Sequence, residues 1–316
     1  MDMLNRLLVV YSPRSTNANY FERKIRPQLM ELDYEVHFLT INNLPYFEAR
    51  KKIADSILDG DTILAAGGDG IANVSLDGAM ESGQNTTLAV APLGNFNDFA
   101  RSIDGSVNDV GKILKSDTFN FRPLDLSVNR HHLLYVAQYI SFGITAHLTD
   151  YLNSDKTRDL RRRLRLSSTM FGVVSALNYN KIIHGLSDIS LPTPKRNGRI
   201  ITDNSLGFLL GPIGHYFGPA MGSYHQSDSQ FWFHHAKIIG RASHDVPYIS
   251  SWFGRNLPGV ETDYEELTFA EPSKIVAQVS GDKLELNDVS EISCQRSQQS
   301  IRIHSPRLAK STKYLS

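Results

Sequence analysis

The chain has 316 residues, and its 33 basic and 33 acidic side chains give a formal net charge of zero. This length predicts two domains, because a single core usually stops growing near about 250 to 300 residues, and the balanced charge argues against nucleic acid as a partner. One cysteine and no apolar run long enough to span a bilayer exclude an internal disulfide and a transmembrane segment, so we expect a cytoplasmic protein.

The first part of the chain alternates between strand and helix patterns. Residues 7–11 form a short apolar run typical of a buried strand, and apolar residues then recur at helical spacing across 21–32. A second strand pattern at 34–38 and a second helix pattern at 46–57 follow. This order predicts a doubly wound α/β domain with a parallel sheet and helices on both faces.

A glycine-rich turn follows the third predicted strand, residues 62–66, and precedes a third helix pattern. It consists of Gly67, Gly68, Asp69 and Gly70. Glycine lets backbone N–H groups approach a ligand closely, and the N-terminus of the following helix favours an anion. A carboxylate beside phosphate oxygens is repelled unless a divalent cation or a proton in transit lies between them, and we interpret the turn as a site for a metal-bound nucleotide. Taken alone, the turn is equally compatible with a structural role, with Asp69 as a helix N-cap.

A second polar turn follows the fourth predicted strand, residues 88–91. Its sequence, from Pro92 to Arg101, is P-L-G-N-F-N-D-F-A-R. The carboxyl ends of neighbouring parallel strands meet at one edge of a sheet, where open α/β sheets bind their ligands. We therefore expect the two turns to lie side by side.

From about residue 124 the pattern changes to short runs of alternating hydrophobicity. These runs are residues 125–128, 132–141, 206–210, 231–239 and 274–279. Turn residues such as Asn129 lie between them. The pattern predicts a second domain made of antiparallel β-strands.

The two turns together resemble the diacylglycerol kinase catalytic family, which includes bacterial lipid kinases and their sphingosine and ceramide kinase relatives. The resemblance begins at residues 9–15, similar to the family's N-P-x-S-G opening, and ends at 278–282, similar to its Q-V-D-G-E. It implies an α/β domain at 1–124, completed by about 290–316. It also implies a C-terminal antiparallel β-sandwich at 125–289 for the lipid substrate.

The resemblance further implies a reaction, in which ATP with Mg²⁺ donates its γ-phosphoryl group to a lipid hydroxyl. The implied nucleotide-binding residues are Ser12, Arg14, Thr40, Gly67, Gly68, Asp69, Gly70, Gly94, Asn95, Asn97 and Asp98. Asp69 and Asp98 are the implied metal ligands, and Asp69 and Asp282 the catalytic residues. Asp282, as the base, occupies the position of a family glutamate. A plain hairpin-turn role for Asp282 stays open, because Gly-Asp is common turn chemistry.

Several positions depart from the family pattern. Ile71 replaces a threonine, Val74 a glutamate, Phe96 a small residue and Ser280 an aspartate. These changes leave open a non-catalytic relative that binds nucleotide or lipid. A kinase of a soluble substrate, similar to NAD kinase, is a further alternative because it shares the GGDG turn. The sequence carries no signature of oligomeric state, and a homodimer is left open.

The strongest charge run lies at residues 156–165. Its clustered arginines are Arg161, Arg162, Arg163 and Arg165. A kinase of a membrane lipid must reach an anionic bilayer, and each basic residue near that surface contributes about 1 kcal/mol. We therefore expect peripheral membrane association through this run, with a solvated helix face as the alternative. Vesicle binding that Arg161→Glu with Arg163→Glu leaves unchanged would contradict the membrane interpretation.

Overall fold

The computed structural model describes residues 5–94, 97–103, 109–142, 146, 194–196, 199–200, 205–211, 231–237, 260–262 and 264–305. The chain divides into two compact units. The N-terminal unit contains Met1–Pro123 and Ser297–Ser316, and the C-terminal unit contains Leu124–Arg296. The sequence pattern predicted the first boundary at about 124, and the family resemblance implied the second at about 290.

The N-terminal unit is built on a six-stranded sheet. Its strands are β1 (Arg6–Tyr11), β2 (Glu35–Thr40), β3 (Thr62–Gly67), β4 (Thr87–Pro92), β5 (Thr118–Phe121) and β16 (Ile301–His304). Their order across the sheet is β2-β1-β3-β4-β16-β5. All neighbours are parallel except β5, which runs antiparallel to β16. The predicted α/β domain is confirmed, with one antiparallel strand at its edge.

Helical segments connect the strands. They are α1 (Ala18–Tyr20), a π-helical turn (Phe21–Ile25), α2 (Arg26–Met30), α3 (Tyr46–Ala54), α4 (Asp69–Ser82), α5 (Asp98–Ile103) and α6 (Val110–Leu114). On one face of the sheet, Leu7 and Leu64 pack in a core with Phe21 and Ile113. The alternate strand residues, such as Leu8, are buried as well, as expected for a sheet covered on both faces.

A largely buried ion pair lies at the amino ends of β1 and β3, at the edge of the sheet opposite the predicted site. Asp61, 1% exposed, accepts a hydrogen bond from Arg6 Nη1 at 2.6 Å and another from the Leu58 N–H at 2.8 Å. Arg6 also donates to the Ser56 carbonyl oxygen. The pair therefore joins the start of β1 to the segment between α3 and β3.

Asp61→Ala should destabilise the protein by about 3 kcal/mol, because it leaves a largely buried guanidinium and a backbone N–H without their acceptor. Urea unfolding followed by circular dichroism measures this loss. The matched control is Asp55→Ala, at an exposed position nearby, which should change the unfolding free energy by no more than about 0.5 kcal/mol. Equal effects of the two substitutions would contradict a stabilising ion pair.

The C-terminal unit is an antiparallel β domain, as predicted. Its strands are β6 (Leu124–Val128), β7 (His131–Val136), β8 (Ile140–Phe142), β9 (Pro194–Arg196), β10 (Arg199–Ile200), β11 (Ser205–Gly211), β12 (Phe231–Lys237), β13 (Val260–Thr262), β14 (Tyr264–Val279) and β15 (Asp282–Arg296). They belong to one ten-stranded sheet. Register shifts between Thr268 and Ile275 interrupt the long β14–β15 ladder, and such irregularities allow strands to bend.

Two of the observed strand arrangements differ from the strands that the sequence patterns predicted. The run 132–141 is not one strand, because residues 137–139 separate β7 from β8. The run 274–279 is only the end of β14, which is 16 residues long. Alternating hydrophobicity marks the residues that face a core, but strand ends depend on pairing partners elsewhere in the chain.

The chain returns from the C-terminal unit beside the point where it left the N-terminal unit. The Ser297 N–H donates to the Pro123 carbonyl oxygen at 2.9 Å, and Arg122 Nε donates to the Ser297 carbonyl oxygen at 2.7 Å. β16 then enters the first sheet between β4 and β5. No helix in the described part of the chain has the length and hydrophobicity needed to span a bilayer.

Candidate nucleotide-binding site

The carboxyl ends of β1, β2, β3 and β4 lie along one edge of the first sheet, and most of the predicted nucleotide-binding residues follow them. Ser12 and Arg14 come after β1, and Thr40 is the last residue of β2. Gly67 ends β3, and Gly94 lies in the turn after β4. The parallel register of the four strands therefore brings these residues to the same edge.

The turns after β3 and β4 touch through their backbones. A Cβ atom added to Gly94 would lie 2.3 Å from the Gly68 Cα, and one added to Gly68 would lie 3.1 Å from the Gly94 Cα. The Leu93 N–H also donates to the Gly67 carbonyl oxygen at 2.8 Å. The predicted proximity of the turns is confirmed. Gly68 and Gly94 are thus required where the two turns approach each other.

Asp69 joins the first turn to the helix that follows the second. Its Oδ1 accepts a hydrogen bond from the Phe99 N–H at 3.0 Å, near the start of α5. Burial raises the pKa of the Asp69 carboxyl to about 6, although the backbone N–H groups of residues 97–99 and the charge of Arg101 act to lower it. A partly buried carboxyl with this pKa is largely ionised at neutral pH, although its surroundings stabilise the charge less well than water does.

Asp98 and Arg101 lie beside Asp69 at the start of α5. Asp98 is fully buried, and its Oδ1 lies 3.3 Å from Arg101 Nη1. Arg101 therefore balances charge on both carboxylates. Sequence reasoning gave Arg101 no role, although a spacing of three residues on a helix places it next to Asp98.

Asn97 shapes the second turn. Its φ is +53°, a conformation that asparagine tolerates better than most residues. Its Oδ1 accepts from the Gly94 N–H at 2.7 Å, and its Nδ2 donates to the Gly94 carbonyl oxygen at 3.0 Å. The side chain thus holds Gly94 against the first turn. Asn95 and Phe96 lie outside the described residues.

Ile71 and Val74 are apolar residues of α4 at positions where the family pattern has polar residues. The Ile71 Cβ would lie 2.5 Å from a Cβ added to Gly67, so Ile71 packs directly against the first turn. Val74 is 3% exposed. Neither side chain offers a polar group to a ligand.

Asp282 begins β15 in the C-terminal unit. It follows a two-residue turn in which Ser280 and Gly281 have φ values of +46° and +100°. Both values are positive, as in the turn type favoured for two-residue hairpins. Asp282 is exposed and pairs across the hairpin with Val279. Its position is compatible with either the base or the hairpin-turn interpretation.

The predicted membrane-binding arginines, Arg161, Arg162, Arg163 and Arg165, lie outside the described residues. Their role stays a prediction from the sequence.

Comparisons with solved structures agree with the fold. A crystal structure of a diacylglycerol kinase from Bacillus anthracis strain Sterne is 15% identical, with a TM-score of 0.60, over 98% of this chain and 99% of that chain. Two further structures from the same organism have TM-scores of 0.64 and 0.65, at 15% and 16% identity. The second covers 98% of this chain and 99% of its own, and the third covers 96% and 98%. At these identities the likeness concerns the fold alone.

Sequence comparisons match part of the chain. Diacylglycerol kinases from Staphylococcus aureus strains JH9 and Newman are 30% identical over 112 residues. The match covers 32% of this chain and about a third of the length of each relative. Residues 6–126 also match the family model of the diacylglycerol kinase catalytic domain, and this segment contains β1–β4 and both turns. The likeness to the diacylglycerol kinase catalytic domain family is therefore a property of residues 6–126, which make up less than half of the chain.

Proposed function

We propose that this protein is an ATP-dependent lipid kinase, which transfers the γ-phosphoryl group of ATP to a hydroxyl group of a diacylglycerol-like lipid. The observation that carries the proposal is the backbone contact between Gly68 and Gly94, with the partly buried carboxyl of Asp69 beside it. The match of residues 6–126 to the family model and the names of the relatives support the same reaction class.

The N-terminus of α4 supplies the proposed phosphate site. This helix has 14 residues, and Gly68 at its N-cap provides no side chain to accept from the N–H groups of the first turn. Those N–H groups, together with the helix dipole, favour an anion at this end. We infer that phosphate oxygens of the nucleotide bind here, next to the contact between the two turns.

The residues beside this site fit a nucleotide-bound Mg²⁺. Asp69 and Asp98 offer carboxylate oxygens, which this hard cation prefers, and a divalent cation would offset the cost of burying the Asp69 charge. Within the described ranges, no group of three acidic, histidine or cysteine side chains forms a metal cage. Mg²⁺ held by one or two carboxylates and the phosphates needs no such cage. When bound, it would neutralise charge on the phosphoryl group.

The protein's own part in the reaction is to orient the reactants and to accept one proton. We infer that Asp282 takes the proton of the lipid hydroxyl as that oxygen attacks the γ-phosphorus and the bond to ADP breaks. Aspartate is one methylene shorter than the glutamate of the family pattern. The lipid must therefore approach closer to the strand for the proton transfer to occur.

Asp282→Asn should lower kcat for lipid phosphorylation by about a hundredfold or more, because the amide cannot accept the proton. ATP binding, measured by calorimetry, should stay unchanged. Asp288→Asn is the matched control, since Asp288 is an exposed residue of the same strand whose φ of +55° asparagine tolerates. Full activity in Asp282→Asn would leave Asp282 with the hairpin-turn role alone.

The whole proposal is tested with purified protein, labelled ATP, Mg²⁺ and a lipid extract. Transfer of label to a lipid, lost in Asp69→Ala, is the expected result. The apolar packing of Ile71 against Gly67 favours the non-catalytic relative as a second candidate. ATP-dependent thermal stabilisation without transfer to lipid or NAD would support that candidate, whereas transfer to NAD alone would support an NAD kinase-like enzyme.

A further inference from the structure

We propose that Asn43 is a positioning residue that holds Arg14 against the nucleoside part of the bound nucleotide. Arg14 would thus contribute to the choice of nucleotide rather than to phosphate binding. The inference rests on the proposed nucleotide site, and it adds to that site a residue, Asn43, that neither motif contains.

The two side chains meet across the ends of β1 and β2. Arg14 Nη1 donates to Asn43 Oδ1 at 2.7 Å. Asn43 has a φ of +53°, in the left-handed region that only glycine, asparagine and aspartate adopt readily. Both residues are exposed. An exposed arginine normally samples many rotamers, so the bond to Asn43 restricts where its planar guanidinium points.

The loop that carries Arg14 is hydrogen-bonded to the chain next to the second turn, the one after β4. The Arg14 N–H donates to Ser12 Oγ at 3.3 Å, and the Ser15 N–H donates to the Ser12 carbonyl oxygen at 3.0 Å. The Asn17 N–H donates to the Leu93 carbonyl oxygen at 3.1 Å, one residue before Gly94. Arg14 is therefore held at a defined distance from the site of the phosphates.

The strand order places Arg14 and Asn43 to one side of the turns after β3 and β4, along the same edge of the sheet. β1 is the neighbour of β3, and β2 is one strand further along the sheet. Strands are about 4.8 Å apart, so these loops lie roughly 5 to 10 Å along the edge from the turn after β3. A nucleoside attached to phosphates at that turn extends over such a distance.

In the opposite direction along the edge, the segment after β16 packs against α5. Beyond β4, the chain that leaves β16 continues into Ser305, which is fully buried and donates its hydroxyl to the Ile103 carbonyl oxygen in α5. The Ser305 N–H donates to the Asp117 carbonyl oxygen. In this proposal the nucleoside lies on the other side, toward β1 and β2. There the guanidinium of Arg14 can stack on the flat face of the base.

The test compares ATP with inorganic tripolyphosphate, each with Mg²⁺, as ligands in isothermal titration calorimetry of the full chain. Arg14→Ala should weaken ATP binding roughly tenfold, as expected for loss of a stacked cation, and should leave tripolyphosphate binding unchanged. Asn43→Gly keeps the positive φ but removes the acceptor, and it should weaken ATP binding in the same way. The two substitutions together should be no worse than Arg14→Ala alone.

Two controls separate positioning from a structural effect. Asn43→Asp keeps both the acceptor and the tolerated conformation, so, unlike Asn43→Gly, it should bind ATP like the wild type. Asn42→Ala, at the neighbouring exposed position, should bind ATP like the wild type. In activity assays, Arg14→Ala and Asn43→Gly should raise KM for ATP with kcat unchanged.

Equal weakening of ATP and tripolyphosphate binding in Arg14→Ala would overturn the nucleoside contact. Unchanged ATP binding in Asn43→Gly, with weakening in Arg14→Ala, would overturn the positioning role of Asn43. If the wild-type protein binds neither ligand, the proposed nucleotide site fails and this inference fails with it. If the wild-type protein binds both ligands and every variant binds ATP with the affinity of the wild type, only this inference is overturned.

Discussion

Gly94→Ala should abolish nucleotide binding and lower the stability of the N-terminal unit. The new Cβ would lie 2.3 Å from the Gly68 Cα, and the obstructing atom belongs to the backbone, so rotation of a side chain cannot relieve the clash. The two turns must move apart. Overpacking of this kind costs about 1 to 3 kcal/mol, and a shift of about 1 Å in the phosphate site lowers the rate roughly a hundredfold.

Urea unfolding, ATP-dependent thermal stabilisation and lipid phosphorylation measure these three effects of Gly94→Ala. Gly111→Ala is the matched control, because Gly111 lies in α6 and its nearest obstruction is a side-chain oxygen of Asp109 at 3.3 Å. Alanine is the better helix former, so the control should be neutral or slightly stabilising. Wild-type ATP binding by Gly94→Ala would show that the contact between the turns is not needed for the nucleotide site.

Asp69→Asn should stabilise the ligand-free protein at pH 8 while it removes phosphoryl transfer. Burial raises the pKa of Asp69 to about 6, above its ordinary value of 3.8. A group with a raised pKa contributes stability that is fully present below pH 3.8 and is lost as the pH rises through about 6. Above that pH the partly buried charge costs on the order of 2 to 3 kcal/mol. Asparagine carries no charge but can still accept from the Phe99 N–H.

The measurement is the difference in unfolding free energy between Asp69→Asn and the wild type, by urea at pH 4 and pH 8. We expect a small difference at pH 4 and a stabilised variant at pH 8. Asp69→Ala is the comparison, because it removes the charge and also the acceptor for α5, which costs about 1 kcal/mol at either pH. A difference for Asp69→Asn that does not change with pH would contradict the raised pKa.

These two predictions concern the same feature of the site. An aspartate that destabilises the free protein at neutral pH is expected where function needs its charge. Its cost should fall when a cation and phosphates are bound. Stabilisation by ATP with Mg²⁺ should therefore be larger for the wild type than for Asp69→Asn at pH 8.

The sequence by itself determined the local features of the site and the class of the fold. Alternating strand and helix patterns predicted the α/β unit, because buried faces repeat with the period of each element. The glycine-rich turn was recognisable because glycine after a buried strand and before a helix permits a close backbone approach. The antiparallel character of the second unit was likewise visible in short alternating runs.

The tertiary structure alone decided several of the contacts that hold the site together. Phe99 donates to Asp69 from 30 residues away, Arg14 reaches Asn43 across 29 residues, and β16 enters the first sheet from the far end of the chain. Local residue patterns do not encode such contacts, because they form only when packing of the whole unit outweighs the entropy of closing long loops. The raised pKa of Asp69 has the same origin, since burial is a property of the folded unit and not of the turn.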